Sequence, residues 1–174
     1  DAEITSGRAH VNIGDEIKIK ITLEAKKEYS FKGTYSSSNV SVSGGKYVSS
    51  SKNYGDLVVN VKLNPIKGTF EAPESVEWKD NEVGLATWEE PAQTSGYYEI
   101  VLQRGGSQVK KASSFKGTKY DFKQDMTQKG IYKFKIRTVG HESNEKDYGK
   151  NSDWVTSDEF YLDASSAPGK TPSN

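Results

Sequence analysis

The sequence predicts an all-β protein assembled from β-sandwich modules, and three observations predict it. Apolar and polar residues alternate over short segments such as Asp15–Glu24, Asp56–Leu63 and Gly130–Gly140. Successive strand side chains point to opposite faces, so this spacing marks strands with one buried face. Tyr, Val, Ile and Thr are frequent, and 16 Gly supply tight turns, which is strand-and-turn chemistry. Long amphipathic helix patterns are absent.

Taken in order, the first strong strand is Asp15–Glu24, with Ile17, Ile19, Ile21 and Leu23 on one face. Val11 and Ile13 precede it, and Ile13-Gly-Asp-Glu16 supplies a turn. Short strands follow at Phe31–Tyr35 and Asn39–Ser43, the latter with Val40 and Val42 on one face, and Gly44-Gly45 breaks the pattern. The Ser- and Gly-rich stretch from Tyr35 to Tyr54 reads as loops and short edge strands. Asp56–Leu63 is the second strong strand, with Leu57, Val59, Val61 and Leu63 inward. Pro65 ends it, because proline cannot donate to a ladder. Residues 1–68 are therefore expected to form a small β-sandwich module. Its core is small for independent stability.

The second unit, residues 69–163, carries more strands. Phe70–Trp78 enters through Pro73, and Gly84–Pro91 places Ala86 and Trp88 on one face. Tyr97–Arg104 ends in Gly105-Gly106, a hairpin signal, with Gln108–Ala112 returning. Thr118–Phe122 is short. In Gly130–Gly140, Tyr132, Phe134 and Ile136 point one way and Lys133, Lys135 and Arg137 the other. Trp154–Leu162 is read as the last strand, after a loop from His141 to Asp153. Short strands at roughly 8- to 15-residue spacing form an immunoglobulin-like pattern. The small-residue, Pro-containing segment 164–174 reads as a flexible linker to a further module, and both chain ends look cut from a longer protein.

Pro73, Trp88-Glu-Glu-Pro91, Tyr98-Glu-Ile-Val-Leu102 and Gly130-Ile-Tyr-Lys-Phe-Lys-Ile-Arg137 together resemble a fibronectin type III domain. The resemblance covers residues 69–163. It implies that Trp88 fills the core and that the Tyr132 hydroxyl caps a corner. Met126–Gly140 with Ser152-Asp-Trp-Val155 is similar to modules of secreted Firmicutes proteins that sit beside cell-wall-binding repeats. Arg8–Ile21 resembles the opening of bacterial extracellular immunoglobulin-like modules.

Composition narrows the function classes. Aromatics are plentiful, with 10 Tyr, 6 Phe and 3 Trp, which argues against disorder. Lys plus Arg and Asp plus Glu both total 24, leaving no basic surplus for nucleic acid or an anionic membrane surface. The chain has no cysteine, so disulfides, Cys-based zinc sites and thiol catalysis are excluded. No apolar run approaches the ~18 residues needed to span a bilayer.

Chemistry-bearing constellations are sparse. The two histidines, His10 and His141, have no spacing relation. Glu89-Glu90 and Asp158-Glu159 are adjacent and so face opposite ways on a strand, which is unsuited to paired acid–base work. Glu142, Glu145, Asp147 and Asp153 are oxygen donors in one loop, but they lack the EF-hand spacing, and Lys146 and Lys150 offset their charge. Arg104-Gly105-Gly106 is no integrin-binding Arg-Gly-Asp, and Asn39-Val-Ser41 fits a glycosylation sequon. Aromatics outside the core register remain as ligand-binding candidates: Tyr47, Tyr54, Tyr97, Tyr148 and Tyr161. Sugar rings stack on aromatic faces, and protein partners use Tyr as an anchor.

The expectation is a non-enzymatic, monomeric segment of an exported bacterial cell-surface or wall-associated protein, serving as spacer, adhesion or recognition module. It would use no cofactor or metal. Its partner would be a protein or a cell-wall or host glycan, without nucleic-acid binding or membrane insertion. The alternative is an accessory carbohydrate-binding region of a larger secreted glycoside hydrolase.

Overall fold

The computed structural model describes residues 2–4 and 11–164 and is an all-β sandwich protein with several antiparallel sheets packed against one another. It divides into two compact units, residues 1–67 and 68–174. His10 and the linker expected at 165–174 lie outside the described residues.

In the first unit, β1 (Ala2–Ile4), β2 (Lys18–Leu23), β3 (Gly45–Asn53) and β4 (Asp56–Leu63) form one antiparallel sheet in the order β1-β2-β4-β3. Leu57, Val59 and Val61 are buried, as their alternation predicts, against Ile19, Ile21, Phe31, Tyr35, Val40, Val42 and Tyr47. The second layer, among the described residues, is therefore the covering segment 31–42 rather than another sheet. Leu23 departs from its expected buried face and is 43% exposed. β1 pairs only with Ile19–Ile21, so Leu23 lies past its end.

The strands expected at Phe31–Tyr35 and Asn39–Ser43 are loop. Asn39 accepts the Ser36 N–H at 2.8 Å and donates to the Thr34 carbonyl at 2.7 Å. Such side chains offer the backbone a local alternative to a ladder. Conversely, the Ser-rich region holds a nine-residue edge strand, β3. Cross-strand pairing with β4 overrides weak intrinsic propensity there.

The second unit opens with β5 (Gly68–Thr69), then β6 (Glu74–Trp78), β7 (Leu85–Glu89), β8 (Tyr97–Arg104), β9 (Ser107–Lys116) and β10 (Lys119–Asp121). β11 (Gly130–Thr138), helix α1 (Ser143–Tyr148), β12 (Gly149–Lys150), β13 (Val155–Thr156) and β14 (Phe160–Leu162) complete it. One sheet runs β10-β7-β6 and the other β13-β11-β8-β9, with β14 also on β11; β12 pairs with β5 in parallel. The inward residues of both sheets share one core: Ala86 and Trp88 from the first, and Tyr98, Ile100, Leu102, Tyr132, Phe134 and Ile136 from the second.

Two elements differ from expectation. The last strand is split, because Ser157 interrupts it: its hydroxyl accepts the Phe134 N–H at 3.0 Å while its own N–H donates to the Phe134 carbonyl at 2.9 Å. Ser152 treats Thr138 in the same way, at 2.9 and 3.0 Å. The loop after β11 contains α1, whose start is fixed when the Glu145 carboxylate accepts the His141 and Glu142 N–H groups, both at 2.9 Å. Gly149 ends the helix where no side chain fits, since a Cβ there would lie 2.5 Å from the Glu145 carbonyl oxygen.

Candidate functional site

Alternation along β11 and β8 sends one set of side chains to the core and the other to the open face of the five-stranded sheet. On that outer face lie Glu99, Val101 and Gln103 from β8, and Ile131, Lys133, Lys135 and Arg137 from β11. Tyr161 joins them, because it is in register with Ile131 while its neighbour Leu162 is buried.

One end of the face is a charged ladder. Lys135 Nζ and Arg137 Cζ each stand 4.6 Å from the Trp154 ring centre, in cation–π contact. Arg137 Nε donates to Glu99 Oε2 at 2.7 Å, and Lys111 pairs with Glu99 Oε1. Burial would raise the Glu99 carboxyl, but the hydrogen bonds from Lys111 and Arg137 outweigh it and hold the group below its ordinary value. The ladder fixes the outer face without leaving a buried charge unpaired.

The other end is a cleft of about 280 Å³ lined by Gln103, Gly105, Gly106, Ile131, Lys133 and Glu159. Lys133 and Glu159 pair at 3.1 Å on its rim. Ile131 is 46% and Tyr161 62% exposed, forming an apolar pair across the strands. Such a face can hold a partner by ring contact, an apolar floor and a few polar groups; no nucleophile–base pair lies on it.

Of the five candidate tyrosines, two lie on this face by strand parity: Tyr161, beside the cleft, and Tyr97, the first residue of β8, at the opposite end. The Tyr47 hydroxyl donates to the Tyr35 carbonyl at 2.9 Å and its ring packs on the first unit's core. Tyr54 is fully exposed at the tip of the β3–β4 hairpin. Tyr97 stacks on His141, ring centres 3.6 Å apart, with Lys116 at 5.7 Å from its ring. Tyr148 is the half-buried last residue of α1. The residues expected to be structural are both buried: Trp88 packs edge-on against Tyr98 and Phe115, and the Tyr132 hydroxyl donates to the Gln128 carbonyl at 2.6 Å.

Sequence reasoning missed Trp154, Ile131 and Gln103. The signal was present for Ile131, which shares the parity of Lys133, Lys135 and Arg137. Trp154 was read as the start of the last strand, but the strand there is only Val155–Thr156, and Trp154 precedes it. Among the described residues, no group of His, Cys, Asp and Glu side chains could hold a metal ion, and no helix is long and apolar enough to cross a membrane.

No family model matches this chain, and neither does any curated protein.

Proposed function

We propose that the chain is a non-enzymatic recognition or adhesion segment of an exported bacterial cell-surface or wall-associated protein, with residues 69–163 a fibronectin type III-like domain. The division of β6 to β11 between two sheets, with crossings after β7, β9 and β10, supports the domain assignment. The observation that carries the function is the outer sheet face, where exposed Tyr161 and Ile131 adjoin a cleft on a backbone braced by the Glu99 ladder.

The test is retention of the bead-coupled chain on purified bacterial cell walls and on host extracellular-matrix protein. Tyr161→Ala is expected to lower retention about tenfold, the loss of one aromatic anchor, with an unchanged circular dichroism spectrum. Equal retention of variant and parent would reduce the segment to a spacer. The presence of Trp154 and Tyr161 on one face also favours a second reading, an accessory carbohydrate-binding region of a secreted glycoside hydrolase. Retention on insoluble polysaccharide but not on protein would select it.

A further inference from the structure

Among the described residues, the most exposed large hydrophobic side chains are Tyr54 at 103% and Tyr29 at 76%, both in the first unit. Tyr54 is the first of two residues joining β3 to β4, with Asn53 and Asp56 paired across the turn. Its φ is 49° and that of Gly55 is 99°, so both central residues are left-handed. Turns of this kind favour Asn-Gly, because other side chains are strained at positive φ. A tyrosine here costs folding free energy and gains only a ring held in solvent. Tyr29 is presented in a similar way: Glu28 before it has φ 71°, and the Tyr29 N–H closes the turn onto the Lys26 carbonyl at 2.9 Å. Strained positions cluster at binding sites.

The two tyrosines belong to adjoining structure. The Asp56 carboxylate, one residue past the turn, accepts the Ala25 N–H at 3.3 Å. Ala25 lines a cleft of about 420 Å³ with Glu24, Lys26, Tyr29, Ser30 and Phe31, a volume usual for small-ligand sites. The lining residues offer two aromatic rings, one carboxylate, one ammonium and two hydroxyls, those of Tyr29 and Ser30. The two charges cancel, so neither an anion nor a cation is favoured. Glu24, Lys26 and Ser30 are exposed, so the lining sets hydrogen-bonding groups beside the rings. A pyranose satisfies both sets of groups: its C–H face lies on a ring, and its hydroxyls both donate and accept.

We infer that this cleft binds a neutral hexose unit of a glycan, with Tyr29 and Phe31 in its wall and Tyr54 available to stack on the adjoining sugar. The site is separate from the sheet face of the second unit and does not depend on it.

The experiment is an amide NMR titration of the full chain with cellohexaose, mannohexaose, xylohexaose and chitohexaose, each to about 10 mM, a range that detects millimolar affinity. At least one is expected to shift the amides of residues 24–31 and 53–56. Tyr29→Ala and Tyr54→Asn should each weaken binding about tenfold, and Tyr54→Phe should retain it. Tyr54→Asn relaxes the turn, so its melting temperature should rise and its loss of binding cannot be unfolding. The inference is overturned if none of the four sugars moves these amides, or if Tyr54→Asn binds like the parent. Shifts confined to the second unit's outer face would also overturn it, while leaving the recognition reading of that face standing.

Discussion

Tyr132 shows what one hydroxyl does in a sandwich core. Its ring is buried among inward residues of both sheets, and its O–H finds a partner in the Gln128 carbonyl. Tyr132→Phe keeps the ring and strands the carbonyl, so chemical denaturation should show a loss of about 0.5–1.5 kcal/mol, with binding unchanged. Glu99 gives a pH-dependent prediction. Its folded carboxyl titrates below the reference value of 4.5, so its contribution to stability is fully present above that value and is lost as pH falls through the lowered folded one. Urea midpoints measured from pH 6 to pH 2 should fall, and Glu99→Gln should flatten part of that slope. Both residues were legible to different degrees. Strand parity placed Tyr132 inside, whereas nothing in a lone Glu at position 99 announced that Arg137 and Lys111 would converge on it from two neighbouring strands.

At the scale of elements, alternation sufficed where one face is buried and failed where side chains substitute for the backbone. Asp56–Leu63 and Tyr97–Arg104 were readable to the residue, because a slip of one position would expose the core set. β3 was hidden by its serines, and α1 by a start built on Glu145 rather than on a Ser or Thr cap. Removing that carboxylate with Glu145→Ala frees two N–H groups and should cost about 1 kcal/mol, read as faster amide exchange across residues 141–148. The β3–β4 hairpin should respond in the opposite direction. Tyr54→Asn relieves a left-handed tyrosine and should raise stability by about 1 kcal/mol, measured by thermal unfolding. An unchanged or lower midpoint would contradict the strain argument on which the first unit's site partly rests.

For the whole molecule, the sandwich class was legible because aromatics and aliphatics recur at strand spacing, while the makeup of the first unit was not. Among the described residues, four buried aliphatics (Ile13, Leu57, Val59 and Val61) and a loop layer give that unit a thin core, against the aromatic-rich core of the second. Residues 68–164 expressed alone should therefore melt cooperatively and give a dispersed amide spectrum. In the full chain, limited proteolysis should cut within residues 24–44 before it cuts the second unit, since low core content permits local opening. Outer faces were harder to read than cores: which exposed residues gather on one face depends on pairing between strands distant in sequence, as Ile131 and Tyr161 illustrate.

The paired bonds of Ser152 to Thr138 and Ser157 to Phe134 give the end of the chain a mechanical character. β13 and β14 are held to β11 by short ladders of two and three residue pairs with a serine clasp before each. Under tension applied from the C-terminal side, the Phe160–Leu162 stretch should peel first, then the Ser157 clasp, then Val155–Thr156 and Ser152. A continuous strand would hold and then give way at once; this one should lengthen in short stages, taking up a pull at the edge of the sheet while the aromatic core stays closed.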